Sequence, residues 1–260
     1  MQERHSNRAQ YFDELAISCE KHFIPYLNKF ISIRPGMRVL EVGCGDGGNL
    51  LPFARQGCVV TGIDISERRI EDARSFFREN GAEAQLLAAD IFEVDGLDGS
   101  FDVMLIHDVI EHIGKKKEFL NHVKRFLRPD GILFIGFPAW QMPFGGHQQI
   151  CRSRVVSRLP FIHLLPVPLY RALLEGVGEP ENCVNELIDI KRCGVTVEHF
   201  EQIAKGCDYE VIERQLWLIN PHYEIKFGLT PRKLPNLLSS LPYLRNFMSS
   251  SCFYILKRVN

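Results

Sequence analysis

A chain of 260 residues, 45% of them hydrophobic, has room for one domain with an insertion and for a sizeable core. Its 31 basic and 32 acidic residues leave a formal charge of −1, which excludes a global field for nucleic acid, and no apolar run is long enough to span a bilayer. Eight cysteines without a C-x-x-C or zinc spacing, behind the polar start MQERHSNRAQYFDEL, exclude a signal peptide and predict a reduced, cytoplasmic protein.

Apolar residues from Phe12 to Ile31 recur at three- and four-residue steps. They predict a helical cap over 8–33, split or kinked at Pro25. Arg34-Pro35-Gly36 turns the chain into a first strand, Met37 to Val42. Gly43, Gly45, Gly47 and Gly48 follow, then an amphipathic helix from Asn49 to Gln56. Strand, glycine turn and helix N-terminus bring backbone close to a ligand. Two patterns overlap in this turn. Gly43-x-Gly45-x-x-Gly48 fits a dinucleotide loop, with Asp64 closing the next strand about 20 residues on, where a ribose-binding acid belongs. Glu41-x-Gly43-x-Gly45-x-Gly47 fits as well, and it resembles the S-adenosylmethionine (SAM) loop of class I methyltransferases.

The second strand runs from Cys58 to Ile63, and Ser66 caps a helix over Arg68 to Asn80 that Asn80-Gly81 stops. A third strand, Ala84 to Ala89, ends in Asp90. After the turn Asp95-Gly96-Leu97-Asp98-Gly99 comes a fourth strand, Phe101 to Ile106. Lys115-Lys116-Lys117 reads as the solvated start of a helix that reaches Leu127 and is closed by Arg128-Pro129-Asp130-Gly131. A fifth strand follows, Ile132 to Phe137. Alternating strands and helices imply a parallel sheet covered on both faces, with its ligand at the carboxyl ends of the strands.

Asp64, Asp90 and the segment His107-Asp108-Val109-Ile110-Glu111-His112 all occupy such ends. In order and spacing after the glycine loop they resemble class I SAM-dependent methyltransferases, most closely the quinone-biosynthesis O-methyltransferase branch, over about residues 36–140. The resemblance implies an α/β, three-layer Rossmann-like fold with a seven-stranded, mostly parallel sheet whose last strand is antiparallel. It implies one methyltransferase domain over 1–260: a helical cap, 8–33; a SAM-binding core, 36–140; a lid insertion, 141–195; and a C-terminal helix and strand pair, 196–260, with an insertion at 220–249. It also implies a SAM site. Glu41, Gly43, small and chemically silent Cys44, Gly45 and Gly47 would lie along the cofactor. Asp64 would hold the ribose hydroxyls beside Ile65, Asp90 the adenine amino group with Ile91 on the ring, and His107 the near side.

Past the core, three prolines between Leu159 and Leu174 rule out one long helix and predict short lid helices. The same apolar stretch beside Arg152, Arg154 and Arg158 also fits contact with a membrane surface. Thr196 caps a helix to Lys205, and Tyr209 to Ile219 and Cys252 to Leu256 are the last strands. His222, Tyr223, Lys226 and Phe227, in the insertion between them, suit an acceptor pocket. These features predict O-methylation of a small-molecule or glycan-type acceptor. An alcohol acceptor needs a base, and imidazole suits it. The candidates are His147 on its Gly145-Gly146 hinge, His107 and His112. In some quinone O-methyltransferases, positions matching Asp108, Glu111 and His112 bind a divalent metal. Asp in place of Glu shortens the reach here, and no residue is assigned to a metal. An NAD-linked oxidoreductase and a non-catalytic SAM-binding module are the competing readings.

Overall fold

The computed structural model describes residues 7–259; residues 1–6 of the polar start, and Asn260, lie outside it. Eight strands form one sheet: β1 (Arg38–Val42), β2 (Val59–Asp64), β3 (Gln85–Ala88), β4 (Phe101–His107), β5 (Leu127–Phe137), β6 (Tyr209–Ile219), β7 (Arg232–Lys233) and β8 (Ser251–Arg258). Their order is β3-β2-β1-β4-β5-β8-β6-β7. Strands β1 to β5 pair in parallel, and β8 runs antiparallel to both β5 and β6. The sheet thus has the expected class with one strand more than the expected seven. The extra strand, β7, comes from the second insertion and extends the edge beyond β6.

The central strands are apolar at nearly every position because both faces are covered. Val39, Val103, Leu105, Ile132 and Phe134 belong to one buried cluster. Leu40, Met104, Ile106, Leu133 and Ile135 belong to the other. This is the two-residue alternation of a strand seen from both sides. Helices α1 (Arg8–Ser18), α2 (Ile24–Leu27), α3 (Leu51–Arg55) and α4 (Glu67–Glu79) pack on the first face. Helix α5 (Lys116–Val123) packs on the second. The later helices are α6 (Val167–Gly176), α7 (Glu181–Cys193), α8 (Val197–Lys205), α9 (His222–Phe227) and α10 (Asn236–Ser239), of which α8 joins α5.

Three local expectations are corrected. The cap helix ends at Leu27 and not at 33, because the Asn28 side chain takes the Ile33 N–H at 2.8 Å and turns the chain out. The interruption expected at Pro25 is present: a wide π turn, Cys19–Phe23, separates α1 from α2, whose first turn holds the proline. Helix α5 stops at Val123, and β5 begins at Leu127. Leu127 pairs with Phe101 and Ile132 with Val103, so Arg128-Pro129-Asp130-Gly131 bulges out of a strand that has already begun. Lys116 is buried and not solvated; its ammonium donates to the carbonyls of Ile113 and Cys193 and ties α5 to the end of α7.

Residues 141–195 fold as a compact insertion around Cys151, Val156, Tyr170, Leu174, Val184, Leu187 and Ile188. Helix α7 has 13 residues, longer than the short helices expected. The base of the insertion is closed where the Trp140 N–H meets the Val195 carbonyl at 2.8 Å and a His163 ring nitrogen meets the Trp140 carbonyl at 2.8 Å. Among the described residues no helix is long and apolar enough to cross a membrane.

Candidate active site

The glycine turn after β1 sits where strand order reverses, between β1 and β4, the position at which such sheets bind ligands. Gly43 has φ +72, and a Cβ there would lie 2.4 Å from Val109 Cγ2. At Gly48 a Cβ would meet the Phe12 carbonyl oxygen at 2.5 Å, so glycine there lets α1 lie on the loop. Two connected cavities share Gly43, Arg69 and Asp108. The larger, about 460 Å³, is lined by Asp64, Ile65, Asp90, Ile91 and His112 among others. Its size lies within the usual range of about 300–1,000 Å³ for small-molecule sites. The smaller is lined by Tyr11, Glu41, Cys44, Gly45, Asp46 and His107 among others.

Asp64 and Asp90 therefore face one hollow beside the glycine turn. Asp64 is held from two sides: the Gly45 N–H donates to one oxygen at 2.8 Å and the Ser66 N–H to the other at 2.9 Å. Each oxygen keeps a further acceptor position. Asp90 accepts the Phe92 N–H at 3.0 Å and caps the following turn. Ile65 is 78% exposed on the cleft wall, an apolar surface for a ligand to cover, whereas Ile91 belongs to the core as well as to the cleft. Glu41 lies beneath the loop. Asn49 donates to its Oε1 at 2.7 Å, while Oε2 is buried without a partner among the described residues. Burial first, opposed by the Asn49 bond and helped by the Asp64 charge, pushes its carboxyl up to about 8.

The three candidate histidines do not form one group. His107 ends β4 with its ring 4.8 Å from that of Phe23, and its Nδ1 lies 3.4 Å from Asp108. His112 and His147 are together on the far side of Asp108, ring centroids 5.0 Å apart and edge to face. Glu111 completes this second group. Ligand atoms of Glu111, His112 and His147 all lie within 4.8 Å of one another. The arrangement replaces the sequential grouping Asp108, Glu111, His112 with a spatial one in which His147 stands in for Asp108. Both Glu111 oxygens are buried without hydrogen bonds among the described residues, and the nearer is 4.0 Å from His147 Nε2. Burial, then the Asp108 charge, raises the Glu111 carboxyl well above its ordinary range. Burial, then His112, lowers His147 to about 4, and burial lowers His112 also. Asp108 has φ 53, a left-handed backbone that turns its carboxylate toward both cavities.

Asp46 and the two arginines around it carry no sequence signal of their own. Asp46, buried in the loop, is paired with Arg8 of α1 and lies 3.8 Å from Arg69 of α4. Tyr11, and Tyr223 of α9, both have phenols pushed up to about 12 by burial and then by Asp108, and Tyr11 lines the smaller cavity together with that carboxylate. Ser18 meets His222 and His22 meets Glu224, each at 2.8 Å, so α9 docks on the cap helix. Lys226 and Phe227 line neither cavity.

Residues 33–192 match the family model described as "Methyltransferase domain". A ubiquinone biosynthesis O-methyltransferase of Rickettsia akari is 34% identical over 99 residues, 38% of this chain and 39% of that protein. The chain thus spans about two-fifths of the length of the curated relatives it matches. A solved structure of a putative sarcosine dimethylglycine methyltransferase from Galdieria sulphuraria has a similar fold, with TM-score 0.59 and 12% identity over 92% of this chain and 84% of that one. A magnesium protoporphyrin IX methyltransferase from Synechocystis with bound SAH gives TM-score 0.54 and 14% identity over 92% of this chain and 81% of that one.

Proposed function

The chain belongs to the class I SAM-dependent methyltransferase family, and from that premise we propose that it methylates a hydroxyl oxygen of a small-molecule or glycan-type acceptor. The family match decides between the overlapping glycine patterns in favour of SAM over a nicotinamide cofactor. The residues present suit that group. The Gly43 cradle admits no side chain, and the orphaned Glu41 Oε2 awaits a donor beside it. When bound, SAM supplies an activated methyl group for direct displacement by the acceptor oxygen. Asp64 holds the ribose hydroxyls and Asp90 the adenine amino group, while Ile65 and Ile91 cover the ring. Glu41, through its free oxygen, takes a hydrogen bond at the amino-acid end, and Gly45, Gly47 and Cys44 pack along it.

The observation that carries the acceptor chemistry is the trio Glu111, His112 and His147, of which His112 lines the larger cavity and the other two stand behind it. His147 is neutral at pH 7, since burial holds its imidazolium back; burial also weakens it as a base, and the Glu111 carboxyl 4.0 Å from its Nε2 is the group placed to support the proton it takes up. His112 and Glu111 orient it. His107, embedded among aromatic rings, positions Asp108 and walls the smaller cavity. The chain's part in the reaction is to align the acceptor, exclude water and take its proton. A transfer assay with labelled SAM and phenolic, catechol and sugar acceptors tests the reading. Methyl transfer to nitrogen or carbon acceptors alone would overturn it, and SAM binding without turnover on any acceptor would favour a silent module.

The same three ligand atoms favour a second reading, in which a divalent cation binds there and orients a vicinal diol. Loss of activity with a chelator, restored by Mg²⁺ or Mn²⁺ and absent from Glu111→Gln, is its signature. The lid exposes Leu159, Phe161, Leu165 and Leu169, and Phe161 meets Phe247 of the second insertion. This apolar face suits a lipid surface or a greasy acceptor, in a reducing, cytoplasmic setting. Co-sedimentation with anionic vesicles checks it.

A further inference from the structure

The sequence shows no zinc spacing, yet the lid brings together three ligands from distant positions. Cys151 Sγ, Cys183 Sγ and a Glu179 oxygen lie within 4.8 Å of one another. We propose that Cys151, Cys183 and Glu179 form a three-ligand site for Zn²⁺ that staples the lid together, with water in the fourth position on the partly exposed Cys183 side. Tetrahedral zinc with Zn–S bonds of about 2.3 Å places its sulfurs about 3.8 Å apart. The cluster needs to contract by about 1 Å at most to meet that geometry.

Each ligand is held by its backbone. Cys151 ends the turn Gln148–Ile150 and donates its N–H to the Gln148 carbonyl at 3.1 Å. Gly178, with φ +79, ends α6 and swings Glu179 inward, where its N–H meets the Leu174 carbonyl at 3.1 Å. The Glu179 carboxylate is oriented in turn: the Arg152 N–H donates to Oε2 at 3.0 Å and the Ser153 N–H to Oε1 at 2.8 Å. Outer bonds of this kind fix a metal ligand and leave its second lone pairs free. Cys183 lies in the first turn of α7 and is only partly buried, which gives an ion its entry.

A second observation points the same way. The Tyr170 hydroxyl is fully buried and has no hydrogen-bond partner among the described residues. Tyr170 shares its buried cluster with Cys151, and Cys183 packs against that cluster, so a metal-bound thiolate there would offer the phenol an acceptor. Two ordinary core thiols would require neither a buried carboxylate nor an orphaned phenol. A cation supplies the missing charge and the missing acceptor together.

Metal analysis of the whole protein purified under reducing conditions tests the site, with Co²⁺ replacing zinc as a spectroscopic probe. We expect about one tightly held zinc per chain and a thiolate-to-cobalt charge-transfer band. Both should vanish in Cys183→Ser and Cys151→Ser while circular dichroism shows a folded chain. The band should survive in His112→Ala/His147→Ala, which separates it from any cation at the active site, and SAM affinity of Cys183→Ser should be unchanged. Absence of zinc and of the cobalt band in reduced protein would overturn the proposal. So would a band that survives both serine variants. A Cys151–Cys183 disulfide, seen as the loss of two hydrogens in intact mass, with no metal taken up after reduction, would overturn it as well.

Discussion

Asp64 serves the fold through oxygens that hold the N–H groups of Gly45 and Ser66, and the ribose contact proposed for it comes on top of those bonds. Asp64→Ala should abolish SAM binding in calorimetry and also lower stability by about 1–3 kcal/mol, the cost of orphaning buried donors; unchanged affinity would remove its assigned role. Glu41 makes a sharper prediction. Burial holds its carboxyl near 8, above the ordinary 4.5. If its carboxylate takes the bond from the cofactor, binding at pH 7 releases close to one proton. Calorimetry in buffers of different ionisation heat reads that proton directly, and Glu41→Gln should lose it. In the free protein the folded state holds this proton between about pH 4.5 and 8 while the unfolded chain gives it up, so the contribution of Glu41 to stability falls as pH rises through that window. His147 has the opposite sign. Its folded value near 4 lies below the ordinary 6.5, so between those values the unfolded chain binds more protons and stability rises with pH. His147→Gln should flatten acid unfolding there. His147→Ala should lower kcat by about 10²–10⁴-fold, the span of general base catalysis, with SAM affinity kept.

At the scale of elements, the sequence is a good guide wherever one local signal has no competitor. Ser66 and Thr196 cap α4 and α8 as read, with the Arg69 N–H at 3.4 Å and the His199 N–H at 3.0 Å on their hydroxyls. Thr196→Ala should cost about 1 kcal/mol in urea unfolding. Signals fail where a side chain or a distant strand outbids them. Asn28 stops a helix whose apolar periodicity continues to Ile31, because its amide offers Ile33 a nearer acceptor. Pro129 and Gly131 look like a terminus, yet pairing of Leu127 with Phe101 starts β5 before them.

Across the molecule, the cofactor half was legible and the acceptor half was not. Strands β1 to β5 advertise themselves through continuous apolar runs ending in Asp64, Asp90 and His107, and the topology then delivers those ends to one rim. The lid has no such period. Its core joins Cys151 to Leu187, and its tie to α5 runs through Lys116, a residue whose neighbours in sequence point to solvent. Nothing in the order of residues says that His147 will stand over Glu111. The ion pair between Arg8 and Asp46, with Arg69 on its other side, has a kinetic corollary. Helix α1 lies across the loop at Gly48 and lines the smaller cavity with Tyr11 and Leu15. If the proposed cofactor reaches into that cavity, its release would require α1 to lift against a latch made of charge. Salt weakens such a latch, so its escape rate in stopped flow should climb with ionic strength, and Arg8→Gln should be fast already.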